Sequence, residues 1–150
     1  MTGNCPCASA FIKGSFEYSD LHGEVCFFDT AGGVRVRGKI CGLPENNSGF
    51  YGFHLHEGEL CEPKSGTDAF SRAGGHYNPK QREHPLHAGD FPVILAGRNG
   101  CAKFSFVTDR FSIDEVIGRT IIVHLDADDY TSQPSGRAGV RIGCGKIIRL

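Results

Sequence analysis

The sequence predicts an all-β chain folded as an antiparallel sandwich or barrel, and three observations carry that expectation. Eight short runs with strand character follow one another along 150 residues, separated by Gly, Asn and Pro. Glycine is abundant at 21 residues, and helical periodicity is thin: a single short turn is expected where Ser112 precedes Asp114 and Glu115. No stretch approaches the roughly 18 consecutive apolar residues of a membrane-spanning helix. In order, the runs begin with residues 10–15 and 24–29. Residues 34–40 alternate over their first half, with Val34 and Val36 against Arg35 and Arg37. Residues 50–56 place Tyr51, Phe53 and Leu55 on one side, as a period of two requires. Residues 92–95, 103–107, 119–125 and 143–148 complete the set.

The length fits one domain spanning residues 1–150, with no linker or repeat. Lys and Arg number 16 against 17 Asp and Glu, so the net charge is −1 and a protein built to grip nucleic acid is excluded. A membrane partner is likewise not expected. The N-terminus, MTGNCPCASA, lacks the basic and apolar regions of a secretory signal. A cytoplasmic location follows if Met1 is the natural start, and an exported one if a leader has been removed.

The cysteines are Cys5, Cys7, Cys26, Cys41, Cys61, Cys101 and Cys144. An odd number cannot pair completely within one chain, so at least one thiol is free or intermolecular. Cys26, Cys41 and Cys101 read as small buried hydrophobes. Cys5 and Cys7 read as reduced residues of a frayed terminus.

The strand spacing fails over residues 57–91 and again over 126–142. Structureless loops beyond about 12–15 residues are uncommon in compact domains and are usually functional or disordered. These two cannot bury much apolar surface, so a metal or a disulfide is expected to hold them.

Six of the seven histidines lie between residues 54 and 124. His54 and His56 sit two apart in FYGFHLHE, so on a strand both imidazoles face the same way, close enough to share an ion. A single such histidine is ordinarily a hydrogen-bonded structural residue; a pair needs partners. GGHYNP follows, and then HPLHAGD, so that His76, His84, His87 and Asp90 form an N3O set that suits four-coordinate structural zinc. Gly74 and Gly75 let the backbone pass close to the ion, and Gly89 turns the chain before Asp90. Zinc hydrolysis fits poorly, because HExxH is absent and HLHEGE does not continue into HxHxDH. His124 ends the apolar run RTIIVHLD and alone would be a surface residue. Beside the His54/His56 pair it becomes a third candidate ligand, and an all-imidazole set suits copper as well as zinc. Asp128 is placed to orient ligand imidazoles, although a loop carboxylate is ordinarily just solvated.

GFHLHE (52–57), AGGHYNP (73–79), HAGD (87–90), GRTIIVHLDADD (118–129) and GRAGVRIGCG (136–145) together resemble the copper/zinc superoxide dismutases, in the family's order and across nearly the whole chain. The resemblance implies an eight-stranded antiparallel Greek-key β-barrel or sandwich, immunoglobulin-like in architecture, with two long functional loops. It implies an oxidoreductase that disproportionates superoxide to dioxygen and hydrogen peroxide with copper and zinc as cofactors. His54, His56 and His124 match the copper ligands, and His76 the histidine that bridges copper and zinc and shuttles a proton. His84, His87 and Asp90 match the remaining zinc ligands. Asp128 matches the residue tying a copper-ligand His to a zinc-ligand His, and Arg141 the arginine that attracts the anion. Cys61 and Cys144 match the family's disulfide. His22 matches no ligand and reads as a surface residue. A homodimer and a metal-delivery partner are compatible with the family. The alternative is a non-enzymatic copper/zinc-binding or metal-delivery protein of the same fold, which loss of a copper ligand would have favoured.

Two loops depart from the eukaryotic form of the family. CEPKSGTDAFSRAGG is longer and looks like bacterial members, and the stretch 129–141 is shorter, with Arg137 where Asn is frequent. Slower or differently steered catalysis is expected. Stopped-flow rates across ionic strength test this: a near-diffusion-limited rate that falls steeply with salt contradicts it.

Overall fold

The structure, a computed structural model, describes residues 5–64 and 69–150. Met1, on which the expected location turns, and the middle of CEPKSGTDAFSRAGG lie outside the described residues. Among the described residues nine strands are present: β1 (Ala8–Gly14), β2 (His22–Thr30), β3 (Gly33–Cys41), β4 (Phe50–Tyr51), β5 (Phe53–His56), β6 (Ile94–Leu95), β7 (Ala102–Thr108), β8 (Thr120–His124) and β9 (Arg141–Arg149). One short α-helix among the described residues, α1 (Ile113–Val116), follows Ser112 as expected, and two single 3-10 turns lie at Phe16–Tyr18 and Ser71–Ala73. No helix among the described residues is long and apolar enough to cross a membrane.

Seven strands form one antiparallel sheet in the order β5-β8-β9-β1-β2-β3-β7, while β4 and β6 pair separately. Alternation decides which way each strand faces. In β3, Val34, Val36 and Ile40 are buried while Arg35, Arg37 and Lys39 remain outside. The sheet curls until its two edges approach. Phe53 of β5 lies 4.9 Å, ring to ring, from Phe104 of β7. Phe91 then bridges Phe53 at 5.4 Å and Phe106 at 5.0 Å. Tilted aromatic pairs at such spacing add about 0.5–1.5 kcal/mol each beyond their buried area.

The run expected as one strand over residues 50–56 is two strands, which is why nine replace eight. Gly52 leaves the ladder: its N–H donates to the Asp126 carbonyl and its carbonyl accepts from the His124 N–H, both at 2.8 Å. The chain thereby changes partners, from β6 before Gly52 to β8 after it. The run at 92–95 shortens to Ile94–Leu95. Pro92 has no N–H to offer a ladder, and the Val93 N–H donates to the Tyr130 hydroxyl at 2.8 Å instead.

Cys61 and Cys144 are joined, pinning the first long loop to β9. Cys41 and Cys101, expected as buried hydrophobes, are only half-buried and form a second disulfide across β3 and β7. The register explains the pairing: Ile40 faces Ala102, so the next residues along each strand, Cys41 and Cys101, stand opposite one another. Cys26, also expected as a buried hydrophobe, is half-buried and free. Cys5 and Cys7 are free too, but Cys7 is not frayed, since its N–H donates to the Phe27 carbonyl at 2.8 Å and its carbonyl accepts from the Leu150 N–H at 3.0 Å. Non-reducing peptide mapping is expected to recover the 61–144 and 41–101 links with the other three cysteines alkylated. Free thiols at 61 and 144 contradict the loop attachment.

Candidate metal centre

β5 is the edge of the sheet, and an edge strand presents unpaired main-chain groups on its outer side. The first long loop supplies their partners. The Tyr77 N–H donates to the Leu55 carbonyl at 2.8 Å, the Leu55 N–H to the Gly89 carbonyl at 2.9 Å, and the Glu57 N–H to the Gly75 carbonyl at 2.9 Å. This docking sets His76 opposite His56 and Asp90 opposite His54. Gly89 is required here, because a Cβ on it would lie 2.1 Å from the Leu55 carbonyl oxygen. Gly75 is not tight in the same sense: a Cβ there meets nothing nearer than Glu57 at 4.0 Å. On the other flank, the β8–β9 ladder shifts register between Val123 and His124. The shift re-aims His124, whose ring centroid lies 4.8 Å from that of His54.

The result is two buried clusters that share His76. His54, His56, His76 and His124 bring ligand atoms within 4.8 Å of one another, and so do His76, His84, His87 and Asp90. The hydrogen bonds dictate which nitrogen of each ring is free. His54 and His84 donate from Nε2 to the two oxygens of Asp128, at 2.7 and 2.8 Å. His56 donates from Nδ1 to the Gly74 carbonyl at 2.8 Å, and His124 from Nδ1 to the Gly139 carbonyl at 3.2 Å. The opposite nitrogens, His54 Nδ1, His56 Nε2 and His124 Nε2, together with His76 Nε2 and His84 Nδ1, are buried without a hydrogen-bond partner. A buried polar atom without a partner costs roughly 1–3 kcal/mol. Five such atoms converging within two clusters fit a pair of cations. In the second cluster, His76 Nδ1 is 2.7 Å from Asp90 Oδ1, and His84 Nδ1 and His87 Nδ1 are 3.0 and 3.2 Å from Asp90 Oδ2.

Burial drives the pKa values of His56 and His124 well below the ordinary 6.5, with the nearby Arg141 charge acting in the same direction. Both rings are therefore neutral near pH 7, the form that binds metal. Burial pushes the Asp128 pKa up, but hydrogen bonds from His54, His84 and the Tyr130 N–H outweigh it and hold the group at about 2. Burial also opposes ionisation of Asp90, and the surrounding His76, His84 and His87 still bring it below its usual value.

Arg141 donates from Nη1 to the Phe70 carbonyl at 2.9 Å and from Nη2 to the Gly74 carbonyl at 2.6 Å. It lines a cleft of about 460 Å³ with His56, His76, His87 and His124. All the residues singled out in the sequence for this site thus meet in one place, while His22 is exposed and apart from it. One requirement escaped the sequence. Gly136, at φ 73, leaves the room that Asp128 occupies: a Cβ there would stand 1.9 Å from Asp128 Oδ1 and 2.7 Å from His84 Nε2. The sequence offers Gly136 only as the first residue of GRAGVRIGCG, with no sign of what its missing Cβ makes room for.

Comparison with known proteins follows the same lines. The family model for copper/zinc superoxide dismutase (SODC) matches residues 21–147. Superoxide dismutase [Cu-Zn] of Deinococcus radiodurans is 36% identical over 141 residues, covering 82% of this chain and 75% of that protein. Among solved structures, the clock protein EA4 superposes with a TM-score of 0.79 at 29% identity, over 100% of this chain and 99% of that one. The Cu/Zn superoxide dismutase of Brucella abortus superposes with a TM-score of 0.77 at 25% identity, over 93% and 98% of the two chains.

Acid is expected to destabilise the metal-free protein. His56 and His124 have folded pKa values below 6.5. Below that pH the unfolded chain takes up protons that the folded chain refuses, and stability falls as pH falls. Each group contributes a slope approaching about 1.4 kcal/mol per pH unit. Denaturant unfolding of the metal-free protein between pH 7 and pH 5 measures it, and a flat profile contradicts the burial of neutral imidazoles.

Proposed function

The chain belongs to the copper/zinc superoxide dismutase family, and on that premise we propose that it disproportionates superoxide to dioxygen and hydrogen peroxide at the centre described above. The observation that carries this is the set of five buried, unpartnered imidazole nitrogens divided between two clusters that share one histidine. In this reading His54, His56, His76 and His124 hold copper, and His76, His84, His87 and Asp90 hold zinc. When bound, copper supplies a one-electron couple, and zinc supplies a fixed, redox-silent charge.

The chain's own residues do the rest. Arg141 keeps its guanidinium charged, since an arginine remains protonated even when burial lowers its pKa. Two of its donors are used on main-chain carbonyls, which aims the group into the cleft where a small anion enters. His76 faces both clusters, Nδ1 toward Asp90 and Nε2 into the all-nitrogen set. Nε2 would therefore be the atom that takes up a proton when it is not serving as a ligand and hands it to the departing peroxide. Asp128 locks the tautomers of His54 and His84, so neither ring can turn the wrong nitrogen inward. The non-enzymatic alternative would be favoured by loss of a residue of the all-nitrogen set or of Arg141, and none is missing.

Metal analysis joined to a superoxide-disproportionation assay tests this function. Protein reconstituted with copper and zinc is expected to be active. His124→Ala is expected to abolish activity while the far-UV circular dichroism of the sheet is retained. An inactive wild type with its full copper content overturns the assignment.

A further inference from the structure

Residues 84–87 carry two of the zinc-set ligands, yet they belong to no strand and have no ladder partner. Main-chain groups outside a ladder look elsewhere for partners, and here two side chains from distant loops serve four of them, three part-buried and one exposed. Gln133 reads both main-chain groups of His84: its Oε1 accepts from the His84 N–H at 2.9 Å, and its Nε2 donates to the His84 carbonyl at 2.7 Å. Arg110 Nη1 donates to the Pro85 carbonyl at 2.9 Å and to the His87 carbonyl at 3.0 Å. We propose that Gln133 and Arg110 are positioning residues for the zinc half of the site, acting through the backbone of residues 84–87. The proposal rests on the two-ion reading above.

The geometry gives each residue a distinct task. His84 is held at its ring by Asp128 and at its backbone by Gln133, and both grips come from one turn. That turn is ordered from within. Asp129 Oδ1 accepts from the Thr131 and Ser132 N–H groups at 2.9 and 2.8 Å, and the Gly136 N–H donates to the Ser132 carbonyl at 2.7 Å. With ring and backbone fixed to one ordered turn, His84 Nδ1 has a single direction left. Gln is suited to this because its amide carries a donor and an acceptor side by side. Arg110 sets the other end of the segment. His87 donates its N–H to Asp90 Oδ2 at 2.9 Å while Arg110 takes its carbonyl, so the peptide groups flanking His87 are both tied.

Zinc competition titrations, with the visible spectrum of cobalt substituted at the zinc set, test the proposal on the full chain. Copper affinity serves as the internal reference. Gln133→Ala and Arg110→Ala are each expected to weaken zinc binding about tenfold, a typical cost for a residue that orients a ligand, to alter the cobalt spectrum, and to leave copper affinity unchanged. Gln133→Glu is expected to behave no better than alanine, because a carboxylate oxygen would face the His84 carbonyl. Arg110→Lys is expected to recover part of the loss, since an ammonium can still donate to one of the two carbonyls. Should Gln133→Ala fail to fold, the Arg110 pair carries the test. Wild-type zinc affinity and cobalt spectra in the alanine variants overturn the proposal, as do equal losses at the copper set, which would mean loosening of the whole fold. A wild type that takes up neither zinc nor cobalt overturns the two-ion reading, and the proposal falls with it. Normal uptake by the wild type with unaffected variants removes the proposal alone.

Discussion

The carboxylate of Asp128 lies buried between two imidazoles, and the geometry of both metal sets depends on it. Burying a charge in a protein interior is costly unless donors surround it. Asp128 has three, from His54, His84 and the Tyr130 main chain. Each imidazole that donates to it must present its other nitrogen elsewhere, so one anion decides the tautomer of a strand histidine and of a loop histidine together. The room for that anion exists because residue 136 has no Cβ. A sheet edge, a first loop and a second loop meet at this single group, while the first loop also buries Ala69, Phe70 and Ala73 against Ile122 and Cys144, more apolar surface than its composition suggests.

The remaining parts follow from an exposed strand edge finding its partners. β5 leaves one side unpaired, the first loop closes against it, and the closure delivers His76 and Asp90 to the histidine pair already on the strand. The Cys61–Cys144 link anchors the same loop to β9. Three residues before Cys144, Arg141 takes the carbonyls of Phe70 and Gly74 from that loop. Disulfide and guanidinium thus hold one loop to one strand, and the arginine that meets the anion is fixed by the segment it helps to fix.

Much of this was legible in the residues, and the boundary of what was legible is physical. The alternation of β3 and the His54/His56 pair are visible because a strand repeats every two residues, so facing can be read without knowing any partner. The break at Gly52 was not, because Tyr51 and Phe53 keep the alternation while the partner strand changes. Cys41 and Cys101 looked like packing residues because their pairing is set by the β3–β7 register, across a separation of 60 residues that composition does not encode. The six histidines and one aspartate of the two sets have characteristic chemistry and spacing. Gln133, Arg110 and Gly136 have neither: their parts are played through loop main chain and empty space, and only coordinates reveal those.

The sheet also divides its labour unevenly. Every residue of the two metal sets comes from β5, β8 or the long loops, with Arg141 on β9. β1, β2, β3 and β7 contribute none, and β3 and β7 are sewn together by their own disulfide. Of the outward side chains of β3, Arg35 and Lys39 are exposed and Arg37 lies over the Phe28 ring of β2 at 4.9 Å, so none of them reaches the metal sets. That flank is open to drift. A descendant of this chain can acquire new neighbours, a fused module or an altered surface charge across β2 and β3 while its redox cage is inherited intact.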